Sequence, residues 1–234
     1  MAQQMQTRPA KTDGRKRRWH QHKVDRRNEL VDGTLEAIRR LGSNVSMDEI
    51  AAEIGVSKTV LYRYFVDKND LTTAVMMRFA QTTLIPNMAA ALMSNLDGFA
   101  LTREIIRVYV DTVAAEPEPY RFVMANSSAS KNKAVANSEQ IIARMLAVML
   151  RRRMAAAGMD TSGVEPWAFH TVGGVQLATH SWMSNPRMTS GELIDYLTML
   201  SWNALCGIVE VGGSLERFNA MPHPSPVLPR RLLD

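Results

Sequence analysis

Apolar positions recur at intervals of three and four along most of this chain, the period of a helix that buries one side. Residues 25–41 carry Leu30, Val31, Thr34, Leu35 and Ile38 in that pattern, and Gly42 supplies a stop. Ser46-Met47-Asp48-Glu49 spells a capping box, and Ile50, Ala51 and Ile54 give the second helix its apolar side. Gly55 ends that helix, Val56 packs into the angle, and Ser57 is placed to cap a third helix over 58–64. Asp67-Lys68-Asn69-Asp70 reads as the cap of a fourth, its carboxylates well placed against the helix dipole. Three short helices with a tight glycine turn before the third form the unit that projects a helix into the major groove of DNA.

Beyond Lys68 the same period runs through Leu71, Val75, Met76, Phe79 and Leu84 to a bend expected at Pro86, with a further helix over 87–95. Ile105, Val108, Tyr109 and Thr112 predict a helix over 101–115, which Pro117 and Pro119 break before a short segment at 120–125. The polar stretch 126–133 reads as a surface loop. Long helices are expected at 135–157, 165–183 and 191–211, the second with Pro166 in its first turn. The fold class is all-α, in keeping with a composition rich in Ala, Leu, Met, Arg and Glu and not enriched in strand formers.

Charge adds a second signal. Residues 1–40 hold eleven Lys or Arg against five Asp or Glu, while the other 194 hold seventeen against eighteen. The net +5 therefore belongs to one end, densest at Arg15-Lys16-Arg17-Arg18-Trp19-His20-Gln21-His22-Lys23. Such a segment suits a polyanion, since neutralising phosphates releases counterions; alone, it is equally a solvated tail that aids solubility. The single Cys206 excludes an internal disulfide framework and a cysteine-rich zinc site. No apolar stretch reaches the roughly 20 residues of a membrane span, and no apolar core of a signal peptide follows the basic end. A cytoplasmic protein is the expectation.

The segment from Val45 to Leu71 resembles the DNA-binding domain of the TetR family of bacterial transcriptional regulators. It carries Ile50-Ala51, Gly55-Val56-Ser57, Leu61-Tyr62-Arg63-Tyr64-Phe65 and Lys68-Asn69-Asp70-Leu71 at that family's spacing. Two features depart from the pattern: the long basic arm, and Asp32-Gly33 where small apolar residues are usual, a change expected to loosen the first helix. The resemblance implies a basic flexible arm at 1–24, a helix-turn-helix domain at 25–72, a helical ligand-binding and dimerisation domain at 73–215, and a flexible tail at 216–234. It implies a ligand-responsive repressor that binds a palindromic operator in double-stranded DNA as a homodimer.

Residue by residue, the resemblance puts Lys58 and Thr59 at base edges or nearby phosphates, and Ser57, which caps the same helix, is also counted among the DNA-binding residues. Tyr62 and Tyr64 match phosphate-contacting and helix-packing tyrosines. Ser46 caps the second helix and is free to donate to a phosphate, and Lys68 stands where helix amides already favour an anion. Arg63 is a flanking phosphate contact or a solvated charge. Arg15, Lys16, Arg17 and Arg18 are placed to reach the adjacent minor groove, with Trp19 anchoring the arm on the domain. The two long C-terminal helices would pair with their symmetry mates, helped by small residues at Gly173, Gly174, Ala178 and Ala204.

Sixteen methionines suggest an adaptable apolar cavity. Phe79, Tyr109, Phe122, Met124, Met145, Met149 and His170 are the candidate lining, and plain core is the competing role for the same stripe. Charges placed to hold a head group are few, mainly Arg103, Arg107, Arg121 and Arg144. An apolar or amphiphilic effector follows: a fatty acid, an acyl thioester or a hydrophobic drug. No cofactor is called for. His20, His22, His170, His180, His223 and Cys206 lack metal-binding spacing, and no nucleophilic triad, paired-carboxylate site or phosphate loop is present. Arg151-Arg152-Arg153 spread around a helix end and suit its dipole. The regulator is thus not expected to be an enzyme; the rival is a helical enzyme or small-molecule carrier with an incidental basic end.

Overall fold

The computed structural model describes residues 13–126 and 133–224, all-helical among those residues. Its elements are α1 (Asp13–Leu41), α2 (Met47–Glu53), α3 (Lys58–Tyr64), α4 (Lys68–Phe79), a π-helical turn (Ala80–Leu84), α5 (Ile85–Leu92), α6 (Gly98–Ala115), α7 (Pro117–Asn126), α8 (Lys133–Ala156), α9 (Val164–Ser184), α10 (Ser190–Glu210) and α11 (Leu215–Ala220). The described residues divide into two compact units: those up to 83 with those between 115 and 136, and those from 84 to 114 with those from 137 onward.

In the first unit, α1 to α4 and α7 enclose one core. Leu30, Val31, Leu35 and Ile38 of α1 meet Ile50 and Ala51 of α2, Leu61 of α3, Leu71 and Val75 of α4, and Phe122 of α7. Each cap expected from the sequence forms. Ser46 accepts from the Glu49 amide at 3.3 Å while the Glu49 carboxylate accepts from the Ser46 amide at 2.8 Å. Ser57 accepts from the Val60 amide and Asp67 from the Asp70 amide. Gly55 turns the chain at φ +69°, a left-handed conformation that a side chain would strain. The same unit takes in α7 and the whole of α4, so it extends past the boundary expected at residue 72. Arg39 draws α7 in by donating to both oxygens of Glu116 at 2.7 and 2.8 Å, and Glu118 accepts from the Ser43 amide at 2.7 Å.

The basic arm is where the structure departs most from expectation. From Asp13 onward it is helical and continuous with α1, 29 residues in all. A free helix of a dozen residues is marginal in water because nucleation is costly; here the packed half of α1 is the nucleus and each further residue only propagates it. Every side chain from Lys16 to Asp25 is exposed, and Trp19, 70% exposed, does not anchor the helix on the domain. Asp32 and Gly33 do not loosen α1 either. Asp32 accepts two hydrogen bonds from Arg78 of α4, and a Cβ at Gly33 would stand 3.0 Å from Ile54, so glycine lets the end of α2 close in.

In the second unit Leu92 of α5, Leu146, Ala147 and Met154 of α8, and Val164 and Ala168 of α9 form a core to which Ile105 of α6 and Ile208 of α10 add. Thr189 and Glu192 close a capping box at the start of α10. Where a bend was expected at Pro86, α4 runs on into the π-helical turn, and Pro86 sits in the first turn of α5 where its missing N–H costs nothing. The short helix α11 occupies part of the expected tail, and 225–234 and most of the stretch 126–133 expected to be a loop lie outside the described residues.

Candidate nucleic-acid interface and ligand cavity

The third helix is fixed from behind. Leu61 is fully buried, Phe65 nearly so, and Tyr64 packs against the same cluster. That leaves Ser57, Lys58, Thr59, Tyr62 and Arg63 exposed, with Tyr62 at 47%. Tyr64 is thus a packing residue, only half-exposed, with the Arg63 guanidinium 5.6 Å from its ring centre.

Lys58 is held by a group that the sequence reading passed over. Its Nζ donates to Asp48 Oδ2 at 2.7 Å, tying the front of α3 to the first turn of α2. That hydrogen bond, with the nearby carboxylate charge, raises the Lys58 pKa above the usual lysine value. Asp48 was visible in the sequence only as a capping-box neighbour; its pairing depends on how α2 and α3 cross. The Ser46 hydroxyl is also committed, donating to Glu49 Oε2 at 2.7 Å, so giving a proton to a phosphate requires breaking that bond. The Ser46 bonds hold Glu49 below the usual carboxylate range. Lys68, half-buried, lays its ammonium 5.3 Å from the centre of the Phe122 ring. Lys16, Arg17 and Arg18 ride on the helical extension; the side chain of Arg15 lies outside the described set.

The second unit holds a cavity of about 240 Å³ between α6, α8, α9 and α10. Leu101, Ile105, Leu146, Met149, Trp167 and Ile208 wall it, with Thr102, Thr171 and Ser201 as sparse polar groups and Arg153 as the one cation among the described lining residues. Of the seven expected ligand residues, Met149 alone lines this cavity. Met145 packs in the adjoining core, Tyr109 is buried elsewhere on α6, and His170 points outward. Phe79, Phe122 and Met124 belong to the first unit, where Phe122 is core. The usable signal was the aliphatic stripe Leu146, Met149, Leu150 and Arg153 at helical spacing; weighting methionines and aromatics hid it. Arg103, Arg107 and Arg121 are paired with Asp195, with Glu104 and Asp111, and with Glu118. Arg153 instead donates to the Leu96 carbonyl at 3.3 Å.

An exposed helix carrying Lys, Thr and Tyr, braced by two capped helices and a shared core, defines a helix-turn-helix DNA-binding transcriptional regulator. Residues 30–75 match the family of bacterial regulatory proteins named for tetR. The chain is 80% identical over 229 residues to the uncharacterized HTH-type transcriptional regulator Rv0472c of Mycobacterium tuberculosis, covering 98% of both chains. It is 31% identical over 103 residues, 44% of this chain and 47% of the other, to the HTH-type transcriptional activator FasR of Mycolicibacterium smegmatis. A TetR-family regulator from Streptomyces coelicolor shares the fold with a TM-score of 0.61 at 19% identity, over 84% of this chain and 86% of that one. The chain belongs to the TetR family.

Proposed function

We propose that this regulator is a ligand-responsive repressor that binds a palindromic operator as a homodimer and is released by an apolar or amphiphilic effector. The observation that carries the reading is the exposed row Lys58, Thr59 and Tyr62 on a helix locked from behind by Leu61 and Phe65. A dimer sets two such helices one turn of DNA apart. Support for the dimer comes from α9 and α10, where Phe169, Gly173 and Leu177 align on one helix and Tyr196, Leu200 and Gly207 on the other, all exposed. Mid-helix glycine costs about 1 kcal/mol relative to alanine. Among the described residues nothing lies within 4 Å of a Cβ placed at Gly173, Gly174 or Gly207. Close approach of a second copy gives those glycines a use.

The cavity supports the effector. Its lining is almost wholly aliphatic and aromatic, with Arg153 at hand for an anionic head group, which suits a fatty acid, an acyl thioester or a hydrophobic drug. A bound effector that displaces α5, whose Leu92 packs in the core beside the cavity, acts on a chain that continues through the π-helical turn into α4. As a repressor of chromosomal genes the protein would work in the cytoplasm. The test is selection of DNA fragments from a random pool by the purified protein, followed by sedimentation of the complex. Recovery of a palindrome bound by two copies, and its release by a long-chain acid, is the expected result. A single half-site bound by one copy, or binding indifferent to every apolar ligand tried, would overturn it.

A further inference from the structure

One stripe runs the length of α1. Leu30, Thr34 and Ile38 on it are buried in the core of the first unit. Extended backward at the same spacing of three and four, it continues as Arg27, Lys23, His20 and Lys16. The side of α1 that faces the helix-turn-helix thus becomes polar beyond Leu30 and carries three fixed cations, Lys16, Lys23 and Arg27. Arg27 marks where the stripe passes the head: it donates to Asp70 Oδ1 at 2.9 Å and lies 4.6 Å over the ring of Phe65, at the junction of α3 and α4. Lys16 and Lys23 have no carboxylate partner among the described residues. Lys23 and Arg27, four residues apart, repel along the helix, so a polyanion laid on this stripe stabilises the helix and the complex together.

From this geometry we infer that residues 16–27 form a rigid cationic rail for the phosphates of DNA flanking the operator half-site. The inference rests on the DNA-binding reading and adds where, and how, the extension engages. An α-helix with side chains is about 10 Å across and the minor groove about 6 Å wide, so this segment does not enter the groove that a flexible arm could reach. It tracks backbone instead. From Arg27 to Lys16 the helix advances about 16 Å, some 5 base pairs at roughly 3.4 Å each. Contacts to phosphate carry no sequence information, so the rail adds affinity whatever the flank sequence.

The full-length protein is titrated with the shortest duplex it selects and fully protects, and with that duplex lengthened by 8 base pairs at each end in two unrelated sequences. The expected result is tighter binding to both long duplexes and backbone protection reaching about 5 base pairs further out. A double substitution, Lys16→Gln with Lys23→Gln, should remove the gain from the flanks and lower the salt slope by about 2 per subunit. Between 50 and 200 mM salt the affinity of the double variant for the long duplexes should therefore fall roughly tenfold less per subunit than that of wild type. Gln21→Pro keeps every charge and breaks the helix; it too should lose the gain. If wild-type protein gains nothing from flanks while still selecting a sequence, the rail is wrong and the operator reading stands. If flanks help but no sequence is selected, the rail stands and the operator reading fails. A Gln21→Pro protein that keeps the full gain would make the segment a flexible arm and overturn the rail. So would a double variant that keeps all duplex binding but no longer associates with phosphatidylserine vesicles, an outcome that exposed Trp19 makes worth measuring.

Discussion

Arg78 of α4 grips Asp32 of α1 with two parallel hydrogen bonds, Nε to Oδ1 at 2.6 Å and Nη2 to Oδ2 at 2.7 Å. The hydrogen bonds to Asp32 raise the already high arginine pKa further, so the guanidinium stays charged. Both side chains are partly exposed, 36% and 48%, and solvent screening keeps such a pair at up to about 1 kcal/mol even in good geometry. A double-mutant cycle with Arg78→Gln and Asp32→Asn should return a coupling of ~0.5–1 kcal/mol in urea unfolding. A coupling of zero would mean that packing alone sets α4 on α1.

The Asp48–Lys58 pair has a different use, because both side chains are exposed on the surface proposed to meet DNA. Lys58→Ala should weaken operator binding by ~1–3 kcal/mol and leave helicity intact. Tyr62→Phe should weaken it less, through one phosphate contact. Asp48→Asn frees the lysine and removes a carboxylate from the interface, so binding to random duplex should tighten and its salt slope steepen by about 0.9. Operator binding by Lys58→Ala and Tyr62→Phe equal to wild type over a salt range would show that α3 is not the reading helix.

What the sequence revealed and what it hid divide along a physical line. The caps at Ser46, Ser57 and Asp67 and the turn at Gly55 were legible because each depends on neighbours within three or four residues. Asp32 looked like a blemish because its partner lies 46 residues away, and Lys58 looked unattached because Asp48 reaches it only through the crossing of two helices. The residues that line the cavity were hidden for the same reason. Helical spacing shows that Phe122 faces inward, but not that the core it enters is that of the first unit. The extension of α1 was hidden by its composition: a run so charged reads as coil until the packed helix behind it is seen to propagate it.

The apolar stripe on α9 and α10 can be probed by charge. Leu177 and Leu200 are 70% and 67% exposed, so substitution should not disturb the chain that carries them. Leu177→Lys with Leu200→Lys removes two leucines per subunit from the proposed interface, each worth about 1.5–3 kcal/mol when fully buried. The dimer should weaken by well over a hundredfold, read by sedimentation equilibrium, with unchanged helicity by circular dichroism. A variant that sediments as wild type would place the interface elsewhere.

Coupling between the cavity and the DNA-reading head can be measured without knowing the natural effector, using dodecanoate as a probe. Ligand that binds free protein and the operator complex with different affinities must change operator affinity by the same factor, because the cycle closes. A coupling of ~1–3 kcal/mol corresponds to about 5–150-fold. Ile105→Trp, which fills the wall of the cavity, should abolish dodecanoate binding while leaving operator affinity in place. Arg153→Gln separates head from tail: it should weaken dodecanoate while leaving dodecanol, which has no charge, nearly unaffected. If both ligands weaken equally, Arg153 contributes packing and the cavity does not select acids. If dodecanoate binds equally tightly to free protein and to the operator complex, occupancy of this cavity does not reach the DNA, and the effector site must lie elsewhere in the chain.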